Sequence, residues 1–226
     1  MPQFDTDNPD VRRYLCDAAS YWLHEFDIDG YRFDYAAGPS HSFWSELAAA
    51  CRAAKPDCWL FGEVTLAGDD PARLRMGLAL LFALGGPPIL YYGTEVGLSQ
   101  PRRKGPWREE SRHPMLWDNR QDTDLFRYTK ELVALRRSHP ALVYGQVVTH
   151  WLDEERGVWL AERRRGQDRV WIGVNVGKEP VRFSPSDGAG GEFVTLAPME
   201  CRLWAAAQAG RGLSPAGRQA PVGPRR

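Results

Sequence analysis

Two runs decide how the chain is read: Ile28-Asp29-Gly30-Tyr31-Arg32-Phe33-Asp34 and Cys58-Trp59-Leu60-Phe61-Gly62-Glu63. Each is short, rich in aromatic and aliphatic residues, and closed by a carboxylate, which predicts strands over 28–34 and 58–62. Between them, Ser40 opens a helical pattern that runs through Phe43, Leu47 and Ala50 to about Ala54, and Pro56 ends it. Upstream, Asn8 reads as an N-cap and Pro9 as a first helical residue. Val11, Tyr14, Leu15, Ala18, Ala19, Trp22, Leu23 and Phe26 then recur at helical spacing, as one apolar stripe expected to face a core. Alternation of helix and strand at this spacing favours parallel strands, because a parallel connection must cross back over the sheet.

The same grammar continues downstream. Asp69 or Asp70 caps, Pro71 opens, and Leu74 to Leu84 reads as an apolar helix ending at Gly85-Gly86, followed by a strand over 88–92. Residues 94–120 read as a long polar loop. An amphipathic helix carrying Leu125, Tyr128, Leu132 and Leu135 stops before Pro140. The period then changes to short β-rich runs, among them 157–162 and 169–175, with Arg163-Arg164-Arg165 expected at a hairpin turn. The expected organisation is a β/α region over 1–139, a small antiparallel β-sandwich domain over 140–206, and a disordered tail over 207–226, rich in Ala, Gly, Pro and Arg.

The two strand-end acids carry chemistry. In a parallel β/α unit the C-terminal strand ends meet at one mouth. A carboxylate nucleophile and a carboxylic proton donor about 5 Å apart suffice to split a glycosidic bond with retention of configuration. Alternation along 28–34 points Arg32 and Asp34 inward, with Tyr31 and Phe33 turned to the helices. Arg32 is then placed to hold Asp34 ionised and oriented, while the apolar strand 58–62 would favour a protonated Glu63. The plainer alternative makes each acid a loop cap and Arg32 a structural ion pair.

Composition narrows the partners. The chain has 226 residues, 43% of them hydrophobic, and a formal net charge of zero, so it offers no electrostatic attraction for nucleic acid or an anionic membrane. Cys16, Cys51, Cys58 and Cys201 show no ligand or CxxC spacing and read as reduced, buried thiols. The start has no basic segment leading into an apolar run, and no stretch reaches the length of a membrane span, so a cytoplasmic location is expected. His24, His41, His113, His139 and His150 show no ligand spacing, so no metal is assigned. Arg102-Arg103 and Lys104-Gly105 read as a solvated turn rather than a phosphate site.

Asp29-Gly30-Tyr31-Arg32-Phe33-Asp34 and Leu60-Phe61-Gly62-Glu63 resemble the fourth and fifth barrel strands of the α-amylase superfamily of retaining glycoside hydrolases, which includes amylases, neopullulanases and cyclomaltodextrinases. Residues 81–95 are similar to the family's eighth-strand region, 112–118 to the loop after it, and 135–142 to the last barrel helix running into a C-terminal β domain. The resemblance spans roughly residues 1–206. It implies an α/β fold, an incomplete (β/α)8 TIM-barrel-derived region followed by the antiparallel β domain. It further implies Asp34 as nucleophile, Glu63 as general acid/base, Arg32 as the orienting arginine, and an α-glucan oligosaccharide or starch as partner. Tyr35 and Trp44 are candidates to stack on glucose rings, with helix core as the competing reading for Trp44.

The departures matter equally. The family's first signature strand, with its Asp and Asn-His pair, has no counterpart in the 27 residues before strand 28–34. The β/α units that carry a His-Asp pair, and with it a third catalytic acid, are missing between Glu63 and the Leu74 helix. Gly38 replaces the His four residues after the nucleophile. No redox or nucleotide cofactor is implied; calcium would fit the resemblance, but its ligands are not identifiable here. A closed eight-stranded barrel takes about 250 residues, so the open edges would call for packing on the β domain or a homo-oligomer. Two functions are therefore carried, a minimal retaining α-1,4-glucan hydrolase and a weak or inactive remnant that at most binds carbohydrate.

Overall fold

The computed structural model describes residues 4–64, 70–98, 113–184 and 193–205. Contacts divide the chain into two compact units, Met1–Leu66 and Ala67–Arg226. The earlier unit holds α1 (Pro9–Glu25), β1 (Gly30–Phe33), α2 (His41–Ala54) and β2 (Trp59–Gly62). Local chemistry sets the helix starts: the Asn8 side chain accepts from the Asp10 N–H, and the Ser40 hydroxyl accepts from the Phe43 N–H. The strands are parallel and in register, from Gly30 opposite Trp59 to Phe33 opposite Gly62. Gly30 is obligatory here. At φ +156° it passes so close to β2 that a Cβ would stand 1.8 Å from the Trp59 carbonyl oxygen.

Packing in this unit is one-sided. Cys16 and Leu23 of α1 meet Phe43, Leu47 and Cys51 of α2, with Tyr31, Phe33 and Leu60 from the strands. The Tyr31 hydroxyl donates to the Ala19 carbonyl at 2.7 Å and so ties β1 to α1. Lys55 ties the end of α2 to the entry of β1 through Asp27 at 2.8 Å and the Ile28 carbonyl. The expectation that all of the α1 stripe faces a core is corrected. Tyr14, Trp22 and Phe26 are exposed, because a two-stranded sheet and one partner helix are too narrow to cover the stripe. Trp22 and Phe26 lie on each other instead, ring centroids 4.7 Å apart.

The later unit is a layered αβ body. Asp70 caps α3 (Pro71–Ala83), accepting from the Ala72 and Arg73 N–H groups, and α4 (Thr123–Ser138) and α5 (Pro140–Tyr144) follow. Strands β3 (Gln146–Asp153), β4 (Val158–Arg165), β5 (Asp168–Asn175) and β8 (Glu200–Ala205) form one antiparallel sheet in the order β3-β4-β5-β8. Strands β6 (Val181–Phe183) and β7 (Val194–Leu196) form a separate hairpin. Alternation along β5 feeds both faces of the sheet: Val170, Ile172 and Val174 join a core with α3 and α4, while Trp171 joins one with Phe183, Leu196 and Trp204.

Four expectations change here. The run 88–92 forms no strand: Pro87 and Pro88 have no N–H to give a ladder, and the chain turns through Gly93 (φ +85°) into a 3-10 turn, Thr94–Val96. The boundary at 139/140 cuts through one packed core, since α3 and α4 lie against β5 and β8. Pro140 opens a helix instead of the β region, as its missing N–H suits a first helical position. Arg163, Arg164 and Arg165 lie in β4, and the turn falls at Gly166, with φ +58°. Arg163 is buried, donating to the Ala141 and Leu142 carbonyls, and Arg136 donates to those of Phe82, Leu84, Gly86 and Leu142. Asp69, Arg102 to Gly105, most of the 94–120 loop and the 207–226 tail lie outside the described residues.

Candidate active site

Because Phe33 pairs with Gly62, the next residues, Asp34 and Glu63, stand abreast at the C-terminal rim of the sheet. The Glu63 N–H donates to the Phe33 carbonyl at 2.8 Å, and the Ala36 N–H donates to the Glu63 carbonyl at 2.9 Å, which fixes both backbones at this level. Gly62 makes room for that crossing, since a Cβ there would lie 2.6 Å from the Ala36 Cβ. Immediately after Asp34, Tyr35 takes the left-handed conformation at φ +48°, uncommon for a bulky residue and held by the bonds around it.

One guanidinium joins the two acids. Arg32 donates from one terminal nitrogen to Asp34 at 2.5 Å and from the other to Glu63. A planar guanidinium presents those nitrogens as a fork, so the carboxylates are held side by side across a short gap. The sequence reading assigned Arg32 to Asp34 alone; the contact to Glu63 comes from strand register, visible only by counting alternate residues along both strands. The expected enclosure is also corrected. Asp34 keeps 68% and Glu63 47% of side-chain exposure, and Arg32 is similarly open, so the trio sits on an exposed face rather than in an apolar pocket.

Of the two proposed sugar-stacking residues, Tyr35 is exposed beside Asp34, whereas Trp44 is spent on structure. Its indole lies against Phe33 and Phe43, and its N–H donates to the Ala36 carbonyl at 2.8 Å, which anchors the loop after Asp34. Asp70 serves as the α3 cap. Among the described residues no three His, Cys, Asp or Glu side chains converge on a point that could hold a metal ion. Cys16, Cys51 and Cys201 are buried free thiols and Cys58 is partly buried; burial pushes Cys51 up to about 11.

Relatives bear on this geometry. The chain is 26% identical to a cyclomaltodextrinase of Geobacillus thermopakistaniensis over 269 positions, covering 87% of this chain and 45% of that protein. It is 25% identical to a maltogenic alpha-amylase of Bacillus acidopullulyticus, covering 86% and 45%. Among solved structures, the maltogenic amylase from S. marinus matches 90% of this chain and 39% of its own, with a TM-score of 0.52 at 19% identity, a likeness of fold. No protein-family model matches. The chain thus spans under half the length of these curated relatives. The 269-position match exceeds the 226 residues of the chain itself, so the relative holds residues inside the matched stretch that this chain lacks. The strand-end acids and their shared arginine thus stand in a chain whose curated relatives are named as a cyclomaltodextrinase and a maltogenic alpha-amylase. These likenesses support the α-amylase superfamily.

Proposed function

We propose that the chain carries the catalytic pair of a retaining hydrolase acting on α-1,4-glucosidic bonds of starch or maltodextrins, with β1 and β2 as neighbouring strands of an incomplete (β/α)8 barrel. The observation that supports this reading is the pairing of Asp34 and Glu63 through Arg32 at the ends of in-register parallel strands. Asp34 attacks the anomeric carbon while Glu63 gives its proton to the departing glycosidic oxygen, leaving a glycosyl ester on Asp34. Water then attacks that carbon, Glu63 takes the water proton, and the ester bond to Asp34 breaks. Glu63 must leave Arg32 to carry the proton, so sugar binding has to reorganise the trio. Buried free thiols fit a reducing compartment, which accords with a cytoplasmic location, and no helix among the described residues is long and apolar enough to cross a membrane.

Reducing-sugar release from soluble starch, maltodextrin and cyclodextrin tests the reading. Asp34→Asn and Glu63→Gln are each expected to lower the rate at least about a thousandfold, roughly 4 kcal/mol of transition-state stabilisation. Activity surviving in either variant would sink it. The openness of the trio favours one alternative, a remnant that binds glucan without cleaving it: retention on starch affinity gels with no turnover by the wild type would select that reading.

A further inference from the structure

Alternation gives the β1–β2 sheet two unlike faces. Tyr31, Phe33 and Leu60 turn to the helices and join their apolar cluster. Arg32 and its ladder partner Phe61 turn the other way. Trp59 turns with them, its ring against that of Phe61 at 4.6 Å between centroids and a tilt of 35°. Trp59 keeps 46% of its exposure, so it is not filling the core of this unit. The same face ends at its rim in Arg32, Asp34 and Glu63. An aromatic floor bordered by charged hydrogen-bonding groups complements a chain of pyranose rings, whose C–H faces lie on aromatic rings while their hydroxyls bond to carboxylates and guanidinium. From Trp59 to Glu63 a strand rises about 13 Å, at about 3.3 Å per residue, a span for an oligosaccharide rather than a single sugar.

We infer that Trp59 and Phe61 form a stacking platform for the glucan, continuous with the acid pair and holding the rings that flank the cleaved bond. This rests on the α-glucan reading of the site. The competing occupant is a second copy of the chain. Packed face to face, two copies would strip water from both sets of Arg32, Asp34 and Glu63, a desolvation cost that a sugar rich in hydroxyls avoids.

Calorimetric titration with maltoheptaose tests the platform, run in the Asp34→Asn background so that affinity is read without turnover. Adding Trp59→Ala is expected to weaken binding at least tenfold. The gentler Trp59→Phe keeps a ring in place; it should hold affinity within about threefold and abolish the change in tryptophan emission that maltoheptaose causes. Unaltered affinity in a folded Trp59→Ala protein, or an unaltered emission change in Trp59→Phe, would overturn the inference. So would a wild-type dimer in sedimentation that Trp59→Ala converts to monomer, which would assign the face to a second copy. The two readings fail separately. Binding that depends on Trp59 without any sugar release removes hydrolysis and keeps the platform; sugar release with binding indifferent to Trp59 does the reverse.

Discussion

The two units treat their charged hydrogen-bonding groups in opposite ways. In the later unit, Glu162 is fully buried and met by Arg164 and by Arg169 at 2.7 Å, with His150 at 3.6 Å, and Asn175 is buried and bonded to the carbonyls of Glu179, Leu196 and Ala197. Both sheet faces there are covered by the unit's own helices and hairpin. In the earlier unit the charged trio is open, and Tyr14, Tyr21, Trp22, Phe26 and Trp59 all stand exposed. Stability is therefore concentrated where polar groups are enclosed and satisfied, and ligand-binding chemistry is available where they are not.

Three substitutions probe that contrast. The largest effect is expected from Gly30→Ala, whose Cβ would collide with the Trp59 backbone: a cost of about 3 kcal/mol or more. In hydrogen-exchange mass spectrometry, amides of 31–33 and 60–62 should lose protection while those of β4 and β5 keep it. Equal loss in both units would break the comparison. Next comes Glu162→Gln, at about 2 kcal/mol, since it leaves Arg164 and Arg169 without their charge partner. Burial alone would raise the Glu162 pKa, but the hydrogen bonds and charges of Arg169 and Arg164 outweigh it and hold the group below the usual carboxylate range. The folded state then binds this proton less readily than the unfolded chain. Its contribution is full above the ordinary Glu value near 4.3 and is lost as pH falls through the depressed one. Acid unfolding followed by β-unit tryptophan emission should therefore flatten in Glu162→Gln. Smallest is Tyr14→Ser on the exposed side of α1, expected within about 0.5 kcal/mol in thermal melts; a larger loss would mean that face is covered in solution.

Helix starts were legible in the sequence because their causes are local: Asn8-Pro9, Ser40 and Asp70-Pro71 carry their own caps, and each begins its helix where expected. The strand pair was legible as well, since both runs are short, aromatic and bounded by turn residues. What escaped is non-local. Whether 88–92 becomes a strand depends on a ladder that two prolines at its start weaken, and the width of cover over α1 depends on how many strands lie beneath it. Pro140 was ambiguous because the same residue ends one helix and opens another. At the candidate site, Asp34, Glu63 and Arg32 were singled out by type and position and the structure brings them together, yet the sharing of Arg32 between both acids required the register of two strands. Trp44 was separated from a sugar-stacking role only by its bond to the Ala36 carbonyl, a contact across a loop.

The central claim is that Asp34, held beside Glu63 by Arg32, forms a covalent bond to a glucosyl unit. It can be read directly by mass spectrometry after incubation with an activated α-glucosyl fluoride whose ring fluorine slows breakdown of the glycosyl ester. The account predicts a single glycosyl adduct on the peptide containing Asp34, absent in Asp34→Asn. No adduct on the wild type, or an adduct on another residue, would contradict it.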